Sequence, residues 1–524
     1  MIRIRQIKLN IDENENNLKQ KISQKLKIKE NDILSYKINK KSIDARKEIM
    51  YVYEIDAEIK NENIILKKHL NDITKTPDET YKLPKPGNKK LNHQIIIVGS
   101  GPAGLFAGYI LAKAGYKPLI IERGEDIDSR VNTVEKFWKT GKLKPNSNVQ
   151  FGAGGAGTFS DGKLNTLTKD KFFRNKEVLK IFVKHGAPKD ILYLNKPHIG
   201  TDILRKVIKN IINEIINMGG QIKYNTCLTN IIIKDNKLTN IEINNKEIIP
   251  CENLILALGH SSRDTFEMLL TKGLNISPKP FAVGIRIQHP QFLIDFNQYG
   301  GNHLSLPPAS YKLTYQTSKK RGVYSFCMCP GGYVVNASSE KEMLAINGMS
   351  NHNRDTKNAN SAIIVTISPN DFGSKPLDGI KFQRKLEKKA YQIGEGKIPT
   401  QLFKDFVENK SSNELKNINP IFKGEYKLTN LRNIFPEYIS EALIEGIQNF
   451  DKKIKGFASD DAILSAVESR TSSPIKMERD ENFTSNIKGI YPCGEGAGYA
   501  GGITTSAIDG IKVAEKLIKT YQLK

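Results

Sequence analysis

The sequence predicts an α/β protein. A Rossmann-like domain carries an inserted mixed α+β domain and is preceded by a small α+β, ferredoxin-like domain. Three observations predict this. An apolar strand, a glycine turn, a small-residue helix and a second strand follow one another from His93 to Glu122. The end of the chain, Asn486–Leu523, again reads as strand, Gly-rich turn and helix. Between the N-terminal segment and the first of these units lies "YKLPKPGNKKLN", Tyr81–Asn92, whose Pro, Gly and Lys content reads as a linker.

The first 88 residues form the N-terminal unit. "IRIRQIKLNI" and "MYVYEIDAEI" read as strands, and "NNLKQKISQKL" between them has apolar residues at helical spacing. Residues 89–275 are expected to be the first part of the Rossmann-like domain. Residues 276–469 form the insert, and residues 470–524 return to complete the first domain. The chain length of 524 residues accommodates such units and a large core.

Composition narrows the function class. Charged residues make up 26% and hydrophobic residues 39%, as in globular proteins. No apolar run is long enough to span a bilayer, so no membrane partner is expected. Met1–Leu26 lacks the apolar stretch of a secretion signal, which predicts a cytoplasmic protein. Five cysteines without zinc or disulfide spacing exclude a disulfide framework and give no metal site. The net charge of +24 raises the possibility of a nucleic-acid partner. However, Lys is spread evenly and far outnumbers Arg, so a general coding bias explains the charge better.

The fingerprint is Gly99-Ser100-Gly101-Pro102-Ala103-Gly104. Gly99 permits the tight turn, Gly101 lets a pyrophosphate approach the backbone, and Gly104 lets the helix pack on the sheet. The helix N-terminus offers free N–H groups and a favourable dipole to phosphate. Glu122 ends the second strand, where a carboxylate suits ribose hydroxyls and disfavours a 2′-phosphate. The site is therefore one for a dinucleotide without that phosphate.

The C-terminal segment decides which dinucleotide. "GIYPCGEGAGYAGGITTSAIDGIKVAEKL" holds five glycines between Gly494 and Gly502, then a helix starting near Thr504. A flavin gains negative charge at its N1–C2=O edge on reduction, and a Gly-flanked helix N-terminus supplies N–H groups for that charge. Backbone groups of Gly501, Gly502 and Ile503 are the expected donors. FAD is the predicted cofactor. No second strand–GxGxxG–helix unit follows, so NAD(P)H is expected only as a transient electron donor.

This pairing resembles the glutathione-reductase-like superfamily of FAD-binding folds, in which the N-terminal unit takes the ADP half and the C-terminal loop the flavin end. The superfamily has Asp after the C-terminal Gly; this chain has Glu495 after Gly494. "VQFGAGGAGTFSDGKL", "LILALGHSSRD", "KPFAVGIRIQHPQ", "VYSFCMCPGGYVVNASSE" and "ESRTSSPIKMERD" together resemble a bacterial group of FAD-dependent, NAD(FAD)-utilising dehydrogenases along nearly the whole chain. The resemblance implies a phosphate contact at Arg130 and flavin approach by the loop containing Gly155. It also implies a contact at Gly259 where the domain returns. With Arg123, Pro102, Ala103 and Gly494, these complete the expected cofactor set.

The expected reaction is hydride transfer to or from the flavin N5, on a small-molecule substrate bound by the inserted domain. Lys163 is a candidate to polarise the ring, and His198, His289 and His352 are acid/base candidates. Arg286 is placed to bind a carboxylate or to make an internal ion pair. Cys327 and Cys329 form a C-x-C pair that either relays electrons or packs as buried thiols. Two other readings stay open at this level: a flavin-dependent tRNA-modifying enzyme, and an FAD-binding protein with a non-catalytic interaction role.

Overall fold

A five-stranded parallel sheet organises the molecule. Its order is Ile490–Pro492, Leu254–Leu256, Ile96–Val98, Leu119–Ile121, Gln221–Lys223. These coordinates are a computed structural model that describes residues 1–166, 168–301 and 305–523. The two sequence segments read as halves of one domain thus meet edge to edge: the C-terminal strand pairs with Leu254–Leu256, which pairs with the fingerprint strand. All five strands are short, and the inner ones are fully buried apolar runs, as a sheet covered on both faces requires.

Helices Pro102–Lys113 and Ile503–Thr520 cover one face, packed against each other. Their approach depends on missing side chains. A Cβ on Gly104 would lie 1.9 Å from the Gly99 carbonyl oxygen, and one on Gly510 2.1 Å from that of Ala103. Helix Thr201–Asn217 adds an apolar stripe of Leu204, Val207, Ile208, Ile211, Ile212 and Ile215 to the same core, matching its 3.6-residue spacing. A meander of Leu228–Lys234, Lys237–Ile243 and Glu247–Pro250 flanks the sheet.

The middle of the chain builds a seven-stranded, mostly antiparallel sheet. Its order is Thr314–Gln316, Gly322–Cys329, Asn358–Ile367, Phe281–Pro290, Ile463–Glu468, Ile398–Leu402, Tyr426–Leu428. Helices Asp378–Gly394 and Glu437–Phe450 close its core. One irregularity matters below: between Phe326 and Cys329 two residues oppose a single residue of Asn358–Ile367, a β-bulge.

The N-terminal segment is a four-stranded sheet, ordered Ile33–Asp44, Met50–Ile59, Ile2–Asn10, Ile73–Lys75, with helices Leu18–Leu26 and Glu62–Lys67. Strand Ile33–Asp44 went unread in the sequence because its face is polar and mostly solvated. The Pro/Gly/Lys segment is not a free tether. Gly87 and Lys89 donate backbone hydrogen bonds to Ile518 and Thr520, and Gln522 donates back to Lys89. Among the described residues, no helix is long and apolar enough to cross a membrane.

Candidate functional site

A long cleft runs over the C-terminal ends of the parallel strands. Its walls include Gly99, Gly101, Pro102, Ala103, Glu122, Arg123 and Cys227, and also Lys163, Phe326, Cys327, Asn347, Glu468, Glu495 and Gly501–Ile503, with Pro102 and Ile503 both against Gly157. Ligands of open α/β sheets bind at this edge, where strand ends and helix N-termini converge.

At the fingerprint end the turn is tight: Gly99 has φ +100°, and a Cβ there would lie 2.3 Å from the Ala257 carbonyl oxygen. Glu122 anchors this turn. Its Oε2 accepts from the Ser100 N–H at 2.9 Å and the Ser100 hydroxyl at 2.8 Å; its Oε1 accepts from the N–H groups of Gly124 at 2.9 Å and Gly152 at 3.0 Å. Those four bonds fill the acceptor capacity that the sequence reading reserved for ribose. Arg123 lines the cleft, stacks on Phe151 and donates to the Asp264 carboxylate.

Arg130 departs from its expected role. Its buried guanidinium donates to the carbonyls of Asn148, Val149, Gly152, Ala153 and Gly155, and it does not line the cleft. It clamps the Gly-rich loop from behind, and its place off the cleft wall gives it a structural role there. The loop then lies on the fingerprint: Gly154 donates to the Ser100 carbonyl, and a Cβ on Gly155 would lie 2.9 Å from the Gly101 Cα. Gly104 likewise serves packing rather than the cleft wall.

Three glycines of the cleft have open room above them. Cβ atoms built on Gly259, Gly501 and Gly502 would meet nothing within 4 Å, so side chains there would project into open space. Gly259 at φ +70° and Gly502 at φ +125° also need glycine for their backbone, whereas Gly501 does not. Gly502 caps helix Ile503–Thr520, whose first N–H groups face this space. Asp509, held by two bonds from Arg479, accepts from the Gly494 N–H at 2.8 Å and fixes the turn before Glu495. The donor set suits a dinucleotide with a flavin end.

The expected catalytic residues separate into two groups. Lys163 and Cys327 lie on the cleft wall; Cys329 is buried behind Cys327. Lys163 Nζ is 2.9 Å from Asp161, whose carboxylate also binds Arg354 and the Ser350 hydroxyl. Burial opposes the Lys163 charge, but Asp161 and the two thiols outweigh it and raise the pKa. His198, by contrast, stands behind Lys163 and not on the cleft wall. Its Nε2 is 2.9 Å from the His352 carbonyl, its ring stacks on His352, and burial pushes it down to about 4. His352 Nδ1 faces the Ile199 carbonyl. His289 is a core residue against Phe457, also lowered by burial to about 4. Arg286 makes the internal pair: Nε donates to Glu468 Oε2 at 2.8 Å, and its other nitrogens go to Asn347, Asn360 and the Cys327 carbonyl.

Sequence reasoning missed Glu468, and it expected Glu495 as a cofactor contact without its shifted titration. Burial pushes Glu468 up to about 7 against the pull of Arg286, and pushes Glu495 up to about 7 against Lys279 and a bond from Gly502. It also missed His260, at the cleft, which burial and the cations Arg470 and Arg263 hold down to about 3. Each sits in a segment singled out above, but tertiary burial, not the local pattern, creates its titration.

Comparison with known proteins bears on this cleft. Residues 280–471 match the family described as FAD-dependent protein, C-terminal domain-like, and residues 97–162 match the NAD(P)-binding Rossmann-like domain. Residues 1–58 match a domain of unknown function. An uncharacterized protein of Clostridium beijerinckii is 50% identical over 532 residues, covering 100% of this chain and 99% of its own length. Solved structures with similarity include glycine oxidase from Bacillus cereus, at 12% identity, 81% of this chain, 95% of that chain and a TM-score of 0.33. L-proline dehydrogenase from P. horikoshii is at 12% identity, 82% of this chain, 91% of that chain and a TM-score of 0.30. The full-length match at 50% identity puts this chain in one family with the Clostridium protein, and residues 280–471 of the chain carry the domain described as FAD-dependent protein, C-terminal domain-like.

Proposed function

We propose that the cleft holds FAD extended along the strand ends, with the ADP half at Gly99–Gly104 and the ring between Lys163, Cys327, Glu468 and the Gly501–Ile503 loop. The observation that carries this reading is the open space over Gly259, Gly501 and Gly502 along the same cleft as the fingerprint. Bound FAD supplies hydride chemistry at its N5 atom. The protein's part is positioning and charge. Lys163 and the N-terminus of helix Ile503–Thr520 place positive potential where the reduced ring gains negative charge. Glu468 and Glu495, both near neutrality in their titration, are the groups able to hold or release a proton at that end.

In this reading residues 276–469 act as a substrate domain. They bring Phe326, Cys327, Asn347 and Glu468 to the cleft, and the wall they form selects a small-molecule substrate. The pairing order of the N-terminal sheet supports the ferredoxin-like assignment of residues 1–88. The ring end lies open enough for NAD(P)H to visit as a transient donor. Purification of the full chain tests the reading: a flavin absorbance spectrum with about one FAD per chain is expected, and a colourless protein that takes up no added FAD would overturn it.

A further inference from the structure

We propose that Cys327 and Cys329 are a redox-active dithiol that reduces disulfides entering the cleft, closing into an intramolecular disulfide as it does so. This activity goes beyond the flavin reading and does not depend on it.

The geometry is specific. In a regular strand, residues two apart share a face at about 6.6 Å, whereas a disulfide requires Cβ atoms about 4 Å apart. Here the strand is not regular. The β-bulge falls on Cys327 and Met328, and Cys327 takes φ +42°, a conformation non-glycine residues rarely adopt. The kink folds the pair together. Cys329 Sγ donates to the Cys327 carbonyl at 3.3 Å, which places the Cys329 thiol against the Cys327 residue. A strained backbone at a cleft wall is where function tends to be stored.

The two sulfurs are also made unequal. Cys327 lies on the cleft wall beside exposed Phe326, while Cys329 is fully buried. The neighbouring Cys329 thiol lowers the Cys327 pKa well below the usual thiol range, and Lys163 and Arg286 lower it further against burial. The same neighbour contact and burial raise that of Cys329. This is the arrangement of an attacking and a resolving thiol: an accessible thiolate among cations, with a protonated partner behind it.

The chemistry balances with a disulfide as the sole co-reactant. The Cys327 thiolate attacks one sulfur of RSSR, a Cys327–SR bond forms, and RS⁻ leaves and takes the Cys329 proton. The Cys329 thiolate then attacks the Cys327 sulfur, forming Cys327–Cys329 and expelling a second RS⁻, which takes a proton from solvent. The dithiol loses two electrons and RSSR gains them. Excess monothiol drives the reverse reaction.

The test uses the full-length protein, both as purified and stripped of flavin. It is reduced with a phosphine, freed of reductant, exposed to oxidised glutathione, quenched in acid and mapped by mass spectrometry. The peptide bearing Cys327 and Cys329 is expected to lose two hydrogens, with two glutathione thiols released per chain. Cys329→Ser is expected to retain one glutathione on Cys327, and Cys327→Ser to retain none on Cys329. A wild-type pair still fully reduced at excess oxidised glutathione would overturn the proposal. So would a folded Cys329→Ser protein, confirmed by circular dichroism, that carries no adduct. Failure to bind flavin leaves this result intact, because the exchange is read without the cofactor.

Discussion

Gly152 donates its backbone N–H to Glu122 Oε1 at 3.0 Å, tying the Gly-rich loop to the end of a strand thirty residues earlier. Because Ser100 and Gly124 bind the same carboxylate, Glu122 joins fingerprint turn, strand end and loop at one buried point. A carboxylate suits this position because it is acceptor-only, and all four groups facing it are donors.

Glu122→Gln should therefore destabilise the protein even without flavin. The amide would turn an NH2 group toward N–H donors, leaving two of them unsatisfied at a cost of about 3 kcal/mol in total. Urea unfolding of the flavin-free protein checks this. An unchanged midpoint would show that the carboxylate serves the cofactor alone.

Arg130→Met tests the clamp on the Gly-rich loop. Methionine is close in volume but donates to none of the five carbonyls that Arg130 now satisfies. Gly152, Ala153 and Gly155 keep bonds from Gly155 and Thr158, but the Asn148 and Val149 carbonyls lose theirs, and at roughly 1–3 kcal/mol for each unpaired acceptor a loss of about 4 kcal/mol is expected. The loop cradles Gly101, so flavin content should fall with stability. Parallel measurement of the denaturant midpoint and the flavin-to-protein absorbance ratio decides it.

How much of this was legible beforehand follows from sequence distance. The fingerprint, Glu122 and the Gly494–Gly502 loop are contiguous patterns, and each lies at the cleft or directly supports it. Arg130 was legible as important but not as a clamp, because its partners are backbone carbonyls that no side-chain pattern announces. Glu468, Glu495 and His260 take their character from burial and from neighbours far along the chain. The histidines failed for the converse reason. His198 and His289 are drawn against backbone carbonyls away from the cleft, and residue type alone does not reveal that.

Gly501→Leu probes the open space over these glycines. Gly501 is not in the left-handed region, and its Cβ direction is open, so the variant should fold with an unchanged thermal midpoint in flavin-free form. Its side chain would occupy the space assigned to the ring. A loss of about 3 kcal/mol in FAD affinity, roughly a hundredfold, is expected. Equilibrium titration with FAD measures it, and wild-type affinity in a folded Gly501→Leu protein would remove the ring from this position.

Glu495 gives a pH signature with a definite sign. Burial raises its folded-state value from 4.5 to about 7 in the flavin-free protein. Between those values the folded state binds more protons than the unfolded state, so stability falls as pH rises from about 4.5 to about 7 and levels off above. Glu495→Gln has no such proton to lose. The stability of wild type relative to the variant should therefore decline across that window and stay flat on either side. Chemical denaturation of the two proteins at pH 5, 6, 7 and 8 reads the difference directly. A difference that instead grew with pH would mean the carboxylate is ionised in the cleft and that the attraction of Lys279 outweighs burial.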